Sequence, residues 1–282
     1  MTQQAKSAAP KWADLGVRVV SAVIMIPAVI ADVWAGGMWF NLFVALLGVL
    51  MANEWVNIVH RQDQPQFALH AGAAMAGALL PLDIGLGGSL GAIAVLWVIS
   101  AILAYVRNPD SARWQYLGVP YVSIPAIALV LLRNDPDYGI AAIIWVMVTV
   151  WSADSLAYFA GRIIGGPKLA PVLSPKKTWA GLGGAVVGSA VASAVFAIVA
   201  GLPGLVVLAL LAGALAIVEQ SGDLFKSAMK RHYGVKDSGR LIPGHGGVID
   251  RVDGLVAVAT AAALIGLIRS GIGATGAGIL VW

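Results

Sequence analysis

The chain has 282 residues, of which 59% are hydrophobic and only 11% are charged. A soluble domain carries about a quarter charged residues, so this composition excludes a large soluble core and indicates a protein embedded in lipid. The absence of cysteine excludes disulfides, thiolate nucleophiles and cysteine-ligated metals, and the formal net charge of +4 is small.

Long apolar runs predict the membrane-spanning elements, because a helix that crosses a bilayer needs about 20 mostly apolar residues. The polar residues 1–15 lack a signal-peptide pattern, so we predict a cytoplasmic N-terminal segment followed by a single polytopic membrane domain over 16–282. The nine predicted spans are 16–35, 37–55, 67–82, 84–106, 116–132, 138–158, 179–200, 203–219 and 254–270. The third and eighth are short, which leaves a count of eight open. The apolar stretch 271–282 either extends the ninth helix or lies at the interface.

The distribution of positive charge predicts the orientation. With nine spans and a cytoplasmic N-terminus, 16 of the 18 lysines and arginines fall on the cytoplasmic side, and only Arg133 and Arg269 fall outside. The outer connections instead carry three aspartates, Asp83, Asp135 and Asp137. We therefore predict an all-α bundle with its N-terminus inside and two polar segments, about 154–179 and 219–253, on the cytoplasmic side.

The first polar segment offers one acid and two lysines. Asp154 lies near the end of the sixth span and could pair with a cation, ligate a metal or simply be solvated at the helix end. Ser174 is predicted as a helix N-cap with Pro175 as the first helical residue, which would place Lys176 and Lys177 at a positive helix end suited to anions. The alternative is that these lysines only anchor the seventh span.

The second polar segment brings carboxylates together by helical spacing. If the eighth helix continues, three positions share one face: Asp223, Ser227 and Lys230 or Arg231. Asp250 and Asp253 lie three residues apart, so one turn presents two carboxylates. Converging carboxylates form a hard-oxygen site suited to Mg²⁺. Glu54 and Asp32, by contrast, are predicted to be helix-end residues.

The same segment carries more cations than its acids can neutralise. They are Lys230, Arg231, Lys236, Arg240 and Arg251. His245 stands between glycines, and Gly246 and Gly247 allow close backbone approach before the ninth helix, whose N-terminus favours anions. Acids for a metal together with surplus cations for anions predict a metal–phosphate site. The alternative is a basic loop that only sets topology.

This segment closely resembles the signature of the phosphatidate cytidylyltransferase family. The pattern is Ser-x-hydrophobic-Lys-Arg, four residues, Lys-Asp, then Pro-x-His-Gly-Gly-hydrophobic-x-Asp-Arg-hydrophobic-Asp. It is matched by Ser227, Lys230, Arg231, Lys236, Asp237, Pro243, His245, Gly246, Gly247, Asp250, Arg251 and Asp253. Gly222-Asp223 and Ser174–Thr178 also look like the family's, whereas Ala180 departs from it.

The resemblance implies that CTP and phosphatidate react to give CDP-diacylglycerol and pyrophosphate, with Mg²⁺ and with a second cation left open. The predicted metal ligands are Asp223, Asp250, Asp253 and Asp154. The predicted catalytic residues are Lys230, Arg231, Lys236, His245 and Arg251, with His245 either positioning or protonating. The predicted substrate-binding residues are Lys176, Lys177, Ser174, Ser227, Gly246 and Gly247.

The expected partners are the two substrates and the lipid bilayer, without nucleic acid. The resemblance and the small residues of Gly181–Ala200 also predict a homodimer in the cytoplasmic membrane. A CDP-alcohol phosphotransferase is excluded, because Asp253-Gly254 lacks that family's following arginine and later carboxylates. A polyprenol kinase type of lipid phosphotransferase and an ion-coupled transporter that uses Asp154, Glu219 and Asp223 remain the alternatives.

Overall fold

The computed structural model describes residues 23, 25, 27–107, 112–239, 241 and 246–282. After a helical stretch over 27–35, its long helices are α1 (Gly37–Val59), α2 (Gln64–Asp83), α3 (Gly85–Arg107), α4 (Ala112–Arg133), α5 (Gly139–Ile163), α6 (Trp179–Val199), α7 (Leu205–His232) and α8 (Ile249–Ser270). Strands β1 (Lys168–Ala170) and β2 (Ser174–Thr178) lie between α5 and α6, and a short helix α9 (Thr275–Leu280) follows a 3₁₀ turn over Ile272–Ala274. The chain is an all-α polytopic membrane protein, and the described residues include one small hairpin.

Seven of the described helices, α1 and α3 to α8, are long and apolar enough to cross a membrane. The helix α2 matches the predicted third span in position, but its polar first turn keeps it outside that group. Nine of the 20 residues of the predicted first span, 16–22, 24 and 26, lie outside the described residues. The count of nine spans and the cytoplasmic N-terminus therefore stay predictions.

Three helices extend further into polar sequence than predicted. The helix α1 continues to Val59, so Glu54 lies inside it and is buried, and the prediction of a helix-end residue was wrong. The helix α7 continues to His232, so Asp223, Ser227 and Lys230 lie on one helix, as their predicted common face requires. The helix α8 begins at Ile249, which makes Asp250 and Asp253 neighbours on its first turns.

The segment before α6 is a β-hairpin and not the predicted helix start. Lys168 pairs with Thr178, and Ala170 pairs with Ser174, in antiparallel register. Ser174 is therefore a strand residue, and the predicted Ser174 cap with Pro175 in the first turn was wrong. The N-cap of α6 is Thr178, whose Oγ1 accepts the amide of Gly181 at 3.0 Å.

The small residues of α6 pack inside the chain. A Cβ on Gly184 would lie 2.6 Å from the Leu156 carbonyl oxygen of α5, and a Cβ on Gly188 would lie 2.5 Å from the Leu156 side chain. The Ser189 hydroxyl donates to the Thr149 carbonyl of α5 at 2.9 Å. This is how small residues let helices approach in lipid. Exposed apolar residues such as Val187 and Val191 lie on the rest of α6, as expected of a helix that faces acyl chains.

The C-terminal stretch turns back on the bundle and does not extend α8. Gly271, at φ +79°, ends α8, and the Asp135 carboxylate accepts the Ala277 amide at 2.8 Å. Ile279 and Leu280 are fully buried. Of the two alternatives for 271–282, the continuation of the ninth helix is therefore excluded, and a position at the interface stays a prediction.

Two apolar clusters set the relation between the helices. The larger contains Leu132, Trp145 and Leu208 and joins α4, α5 and α7. A second cluster contains Trp55 and Met229, together with Ile249 at the start of α8. It brings the C-terminal ends of α1 and α7 against the N-terminal end of α8, which is where the polar residues of the signature lie.

Candidate active site

Three carboxylates of the polar segments surround one buried ammonium group. Lys226 of α7 is only 7% exposed. Its Nζ lies 2.8 Å from Asp223 Oδ1 and 3.8 Å from Asp250 Oδ1, and it forms its shortest ion pair with Asp253 Oδ2. The predicted convergence of α7 and α8 carboxylates is therefore observed. A buried charge of this kind is stable only when it is paired.

The hairpin adds a second lysine to the same group of acids. Lys177 Nζ lies 2.6 Å from Asp223 Oδ2 and donates to Gln220 Oε1 at 2.7 Å. The Gln220 amide in turn donates to Glu219 Oε2 at 2.6 Å. Asp154 of α5 is exposed and lies near Glu219. Four elements, α5, β2, α7 and α8, thus meet at one polar site.

A third lysine and a serine hold Asp250. Lys230 Nζ donates to Asp250 Oδ1 at 2.6 Å. The backbone amide of Ser238 donates to Asp250 Oδ2 at 2.9 Å, and the Ser238 hydroxyl lies 2.9 Å from the same oxygen. Both carboxylate oxygens are therefore engaged, which restricts the side chain to one orientation.

Aromatic packing supports the lysine-bearing end of α7. Phe225, next to Lys226, lies with its ring centroid 5.6 Å from that of Tyr121 and 5.3 Å from that of Trp114, both on α4. Tyr121 also packs on Trp55 of α1, with centroids 4.9 Å apart. Such pairs add specific geometry to apolar burial, and here they hold α1, α4 and α7 in register beside the site.

The remaining predicted residues lie around this group. Ser227 and Ser174 are half-buried, on α7 and at the start of β2. Gly246 adopts φ +87°, and Gly247 is buried. The exposed cations at the margin are Lys176, Arg231, Lys236 and Arg251. Strand alternation explains why Lys177 reaches Asp223 while its neighbour is exposed. His245 and Arg240 lie outside the described residues.

Sequence reasoning missed three residues of the site, namely Lys226, Ser238 and Glu54. Lys226 was used only in the count of positive charges that predicts the membrane orientation. Its spacing of three residues from Asp223 and four from Lys230 nevertheless placed it on the same helix face as these two residues. Ser238 follows Asp237 in the signature and carried no separate signal. Glu54 contacts residues 248 and 249 across the fold, and no local pattern reveals such a contact.

The donor set has the chemistry that Mg²⁺ prefers, because carboxylate oxygens are hard ligands. In the present arrangement the Lys226 ammonium lies among the carboxylates, and no group of three or more histidines or acids within the described residues is spaced to hold a metal directly. The acids are of the chemical type that binds Mg²⁺. In this structure, lysine ammonium groups supply the positive charge next to these carboxylates.

The signature and its geometry can be compared with known proteins. The model of the cytidylyltransferase family matches residues 16–268, which includes every described element of the site. The chain belongs to the cytidylyltransferase family. The match covers the bundle as well as the polar segment, so the family assignment extends well beyond the signature.

Curated relatives of this family member are similar along most of their length. The phosphatidate cytidylyltransferase of Brucella abortus biovar 1 (strain 9-941) is 42% identical over 261 residues, covering 90% of this chain and 94% of the relative. The Pseudomonas aeruginosa enzyme of the same name is 36% identical, covering 85% and 92%. The Haemophilus influenzae enzyme is 33% identical, covering 85% and 94%.

Proposed function

We propose that this chain is a phosphatidate cytidylyltransferase, which transfers the cytidylyl group of CTP to phosphatidate and releases pyrophosphate. The observation that carries the proposal is the convergence of Asp223, Asp250 and Asp253 with three lysines. These groups belong to the family signature, to the α7 turn just before it and to the hairpin. The relatives that bear this name match the chain over most of its length.

The reaction needs charge neutralisation more than proton transfer. A phosphate oxygen of phosphatidate forms a bond to the α-phosphorus of CTP, and the bond from that phosphorus to the β-phosphate bridging oxygen breaks. The phosphatidate phosphate is already ionised near neutral pH, so no strong general base is required. The site contributes by positioning the anions and offsetting their charge.

Each described group has a place in that task. We assign Asp223 and Asp250 as the main ligands of the metal. Asp253 is assigned as a supporting ligand, and Asp154 as a further acid near them. Mg²⁺ bound there supplies a positive charge for the phosphate oxygens, and a second cation remains open. Lys177, Lys226 and Lys230 are assigned to the substrate phosphates and the leaving pyrophosphate, since each already contacts a site carboxylate.

The margin of the site supplies further positive charge. Arg231 on the last turn of α7, Lys236 after it and Arg251 on the first turn of α8 are exposed, and we assign them to attracting the anionic substrates. We propose that the side of the bundle that bears the site faces the cytoplasm, because it carries most of the lysines and arginines. Phosphatidate would then react at headgroup level while its acyl chains stay in the bilayer.

We also propose a homodimer, and this rests on the resemblance alone. The small residues that suggested a helix interface on α6 already pack against α5.

Two labelled forms of CTP test the activity. The purified protein is incubated with phosphatidate and Mg²⁺, and with CTP labelled at either the α- or the γ-phosphate. We expect the α-label in lipid and the γ-label in pyrophosphate. Transfer of the γ-label to lipid would indicate a lipid kinase, and solute uptake without lipid labelling would indicate a transporter. Either result would overturn the proposal.

A further inference from the structure

Glu54 is a buried carboxylate on α1 that binds the start of α8. It is 1% exposed. Its Oε1 accepts the amide of Val248 at 2.7 Å, and its Oε2 accepts the amide of Ile249 at 2.9 Å. The residue at the N-cap position of α8, Val248, has no side chain that can cap the helix. Since the first amides of a helix need an outside acceptor, Glu54 provides the cap from another helix.

The same carboxylate is linked to Asp250 through one hydroxyl group. Ser238 Oγ lies 3.0 Å from Glu54 Oε2 and 2.9 Å from Asp250 Oδ2. A hydroxyl has one proton to donate, so it serves one carboxylate at a time, while the Ser238 amide keeps its bond to Asp250. Ser238 therefore fixes the separation between the capping carboxylate and the site carboxylate.

Two glycines make room for Glu54. A Cβ on Gly239 would lie 2.7 Å from Glu54 Oε1, and a Cβ on Gly247 would lie 2.5 Å from Glu54 Oε2. Real Cβ atoms do not approach oxygen this closely, so a side chain at either position would displace the carboxylate. Gly247, the second glycine of the His-Gly-Gly motif, is thus required for the packing of Glu54, independently of any contact with substrate.

The charge of Glu54 also points to a specific role. No ion pair connects it to a lysine or arginine among the described residues. Its partners are two amides, one hydroxyl and the positive end of α8. Burying a carboxylate is costly without such donors, and an amide side chain would present an N–H group to a backbone N–H group. The position is therefore suited to a carboxylate.

We propose that Glu54 is a positioning residue for cytidylyl transfer, which caps α8 and, through Ser238, orients Asp250. The inference rests on the proposed role of Asp250 in the reaction. Loss of an outer group that orients a metal-site ligand typically costs about 10- to 100-fold in activity or metal affinity. Because Glu54 is only 1% exposed, we expect no direct contact with the substrates and little change in their KM values.

The test compares Glu54→Gln, Ser238→Ala and a control, Asn41→Leu, which removes another buried polar side chain of α1. We expect kcat to fall about 10- to 100-fold in Glu54→Gln and about 10-fold in Ser238→Ala, with KM for CTP within about twofold. The double variant should lose less than the product of the two effects, because both act through one contact. The control should keep wild-type kcat.

Hydrogen exchange gives a readout that does not depend on turnover. Amides in a peptide covering residues 246–253 should exchange at least about tenfold faster in Glu54→Gln, and not in the control. Wild-type kcat in Glu54→Gln, or unchanged exchange in this peptide, would overturn the inference. If Glu54→Gln does not fold, Ser238→Ala decides, and wild-type kcat there overturns it. Wild-type activity in Asp250→Asn would instead show that the proposed site itself is wrong.

Discussion

Replacing Lys226 by methionine should remove one positive charge from the site while changing the shape of the side chain little. Methionine is similarly long and unbranched but carries no charge. Asp223 would keep its ion pair with Lys177, and Asp250 would keep its pair with Lys230. Asp253 would lose the ion pair that the described residues give it. Since its side chain is only 14% exposed, a poorly solvated carboxylate would remain.

The expected cost follows from that burial. Removing one partner of a buried ion pair typically costs about 3–5 kcal/mol, and we expect the lower end because Asp253 is not fully enclosed. For a chain of this size, about 3 kcal/mol corresponds to a fall in melting temperature of roughly 6–12 °C. Mg²⁺ should restore more stability to the variant than to the wild type, because its binding replaces the missing positive charge.

Thermal melting in detergent, followed by the fluorescence of the 10 tryptophans, measures both effects with and without Mg²⁺. The control is Lys168→Met, since Lys168 is an exposed lysine of β1 and should shift melting by less than about 2 °C. If Lys226→Met melts like the control without Mg²⁺, the account of a charge-balanced cluster is refuted. If Mg²⁺ raises the melting temperature of Lys226→Met and of the wild type equally, the metal assignment to these carboxylates is refuted.

Three further changes probe other parts of the structure. Thr178→Ala should lower the free energy of unfolding by about 1 kcal/mol through loss of the α6 cap, and Thr178→Ser should not, as denaturant titration would show. Gly247→Ala should reduce activity at least about tenfold, whereas Gly183→Ala, where a Cβ meets nothing within 4 Å, should be neutral in the same CTP assay. Burial lowers the pKa of His60 from 6.5 to about 4, so the unfolded chain binds a proton that the folded chain does not. Stability should therefore fall by up to about 2 kcal/mol between pH 6.5 and 5, and melting of His60→Gln should show less of this fall.

The sequence was sufficient for those parts of the site that depend on local periodicity. Asp250 and Asp253 lie three residues apart in a helix, and that spacing alone placed them together. The continuation of α7 brought Asp223 and Lys230 to the same side. The family signature added the chemistry, which spacing could not indicate.

The parts that were missed depend on contacts across the fold. Glu54 reaches amides that are 194 and 195 residues away along the chain, and one sequence contains no periodic signal for such a contact. The Ser174-Pro175 pair is typical of a helix start, but the pairing of residues 168 and 178 favours a hairpin. Tertiary pairing there overrode a local preference, and it also determined which of the two lysines reaches Asp223.

The central claim is that the carboxylates around Lys226 form the site of Mg²⁺-dependent cytidylyl transfer. The most direct measurement is the rate at which the label of α-³²P-labelled CTP enters CDP-diacylglycerol in the presence of phosphatidate. The rate is measured as a function of Mg²⁺ concentration for the wild type, Asp250→Asn and a control, Asp137→Asn. Asp137 is exposed and distant in sequence from the signature. The account predicts at least about a hundredfold loss in Asp250→Asn and wild-type, Mg²⁺-dependent rates in the control. A folded Asp250→Asn protein with the wild-type rate and Mg²⁺ dependence would contradict it.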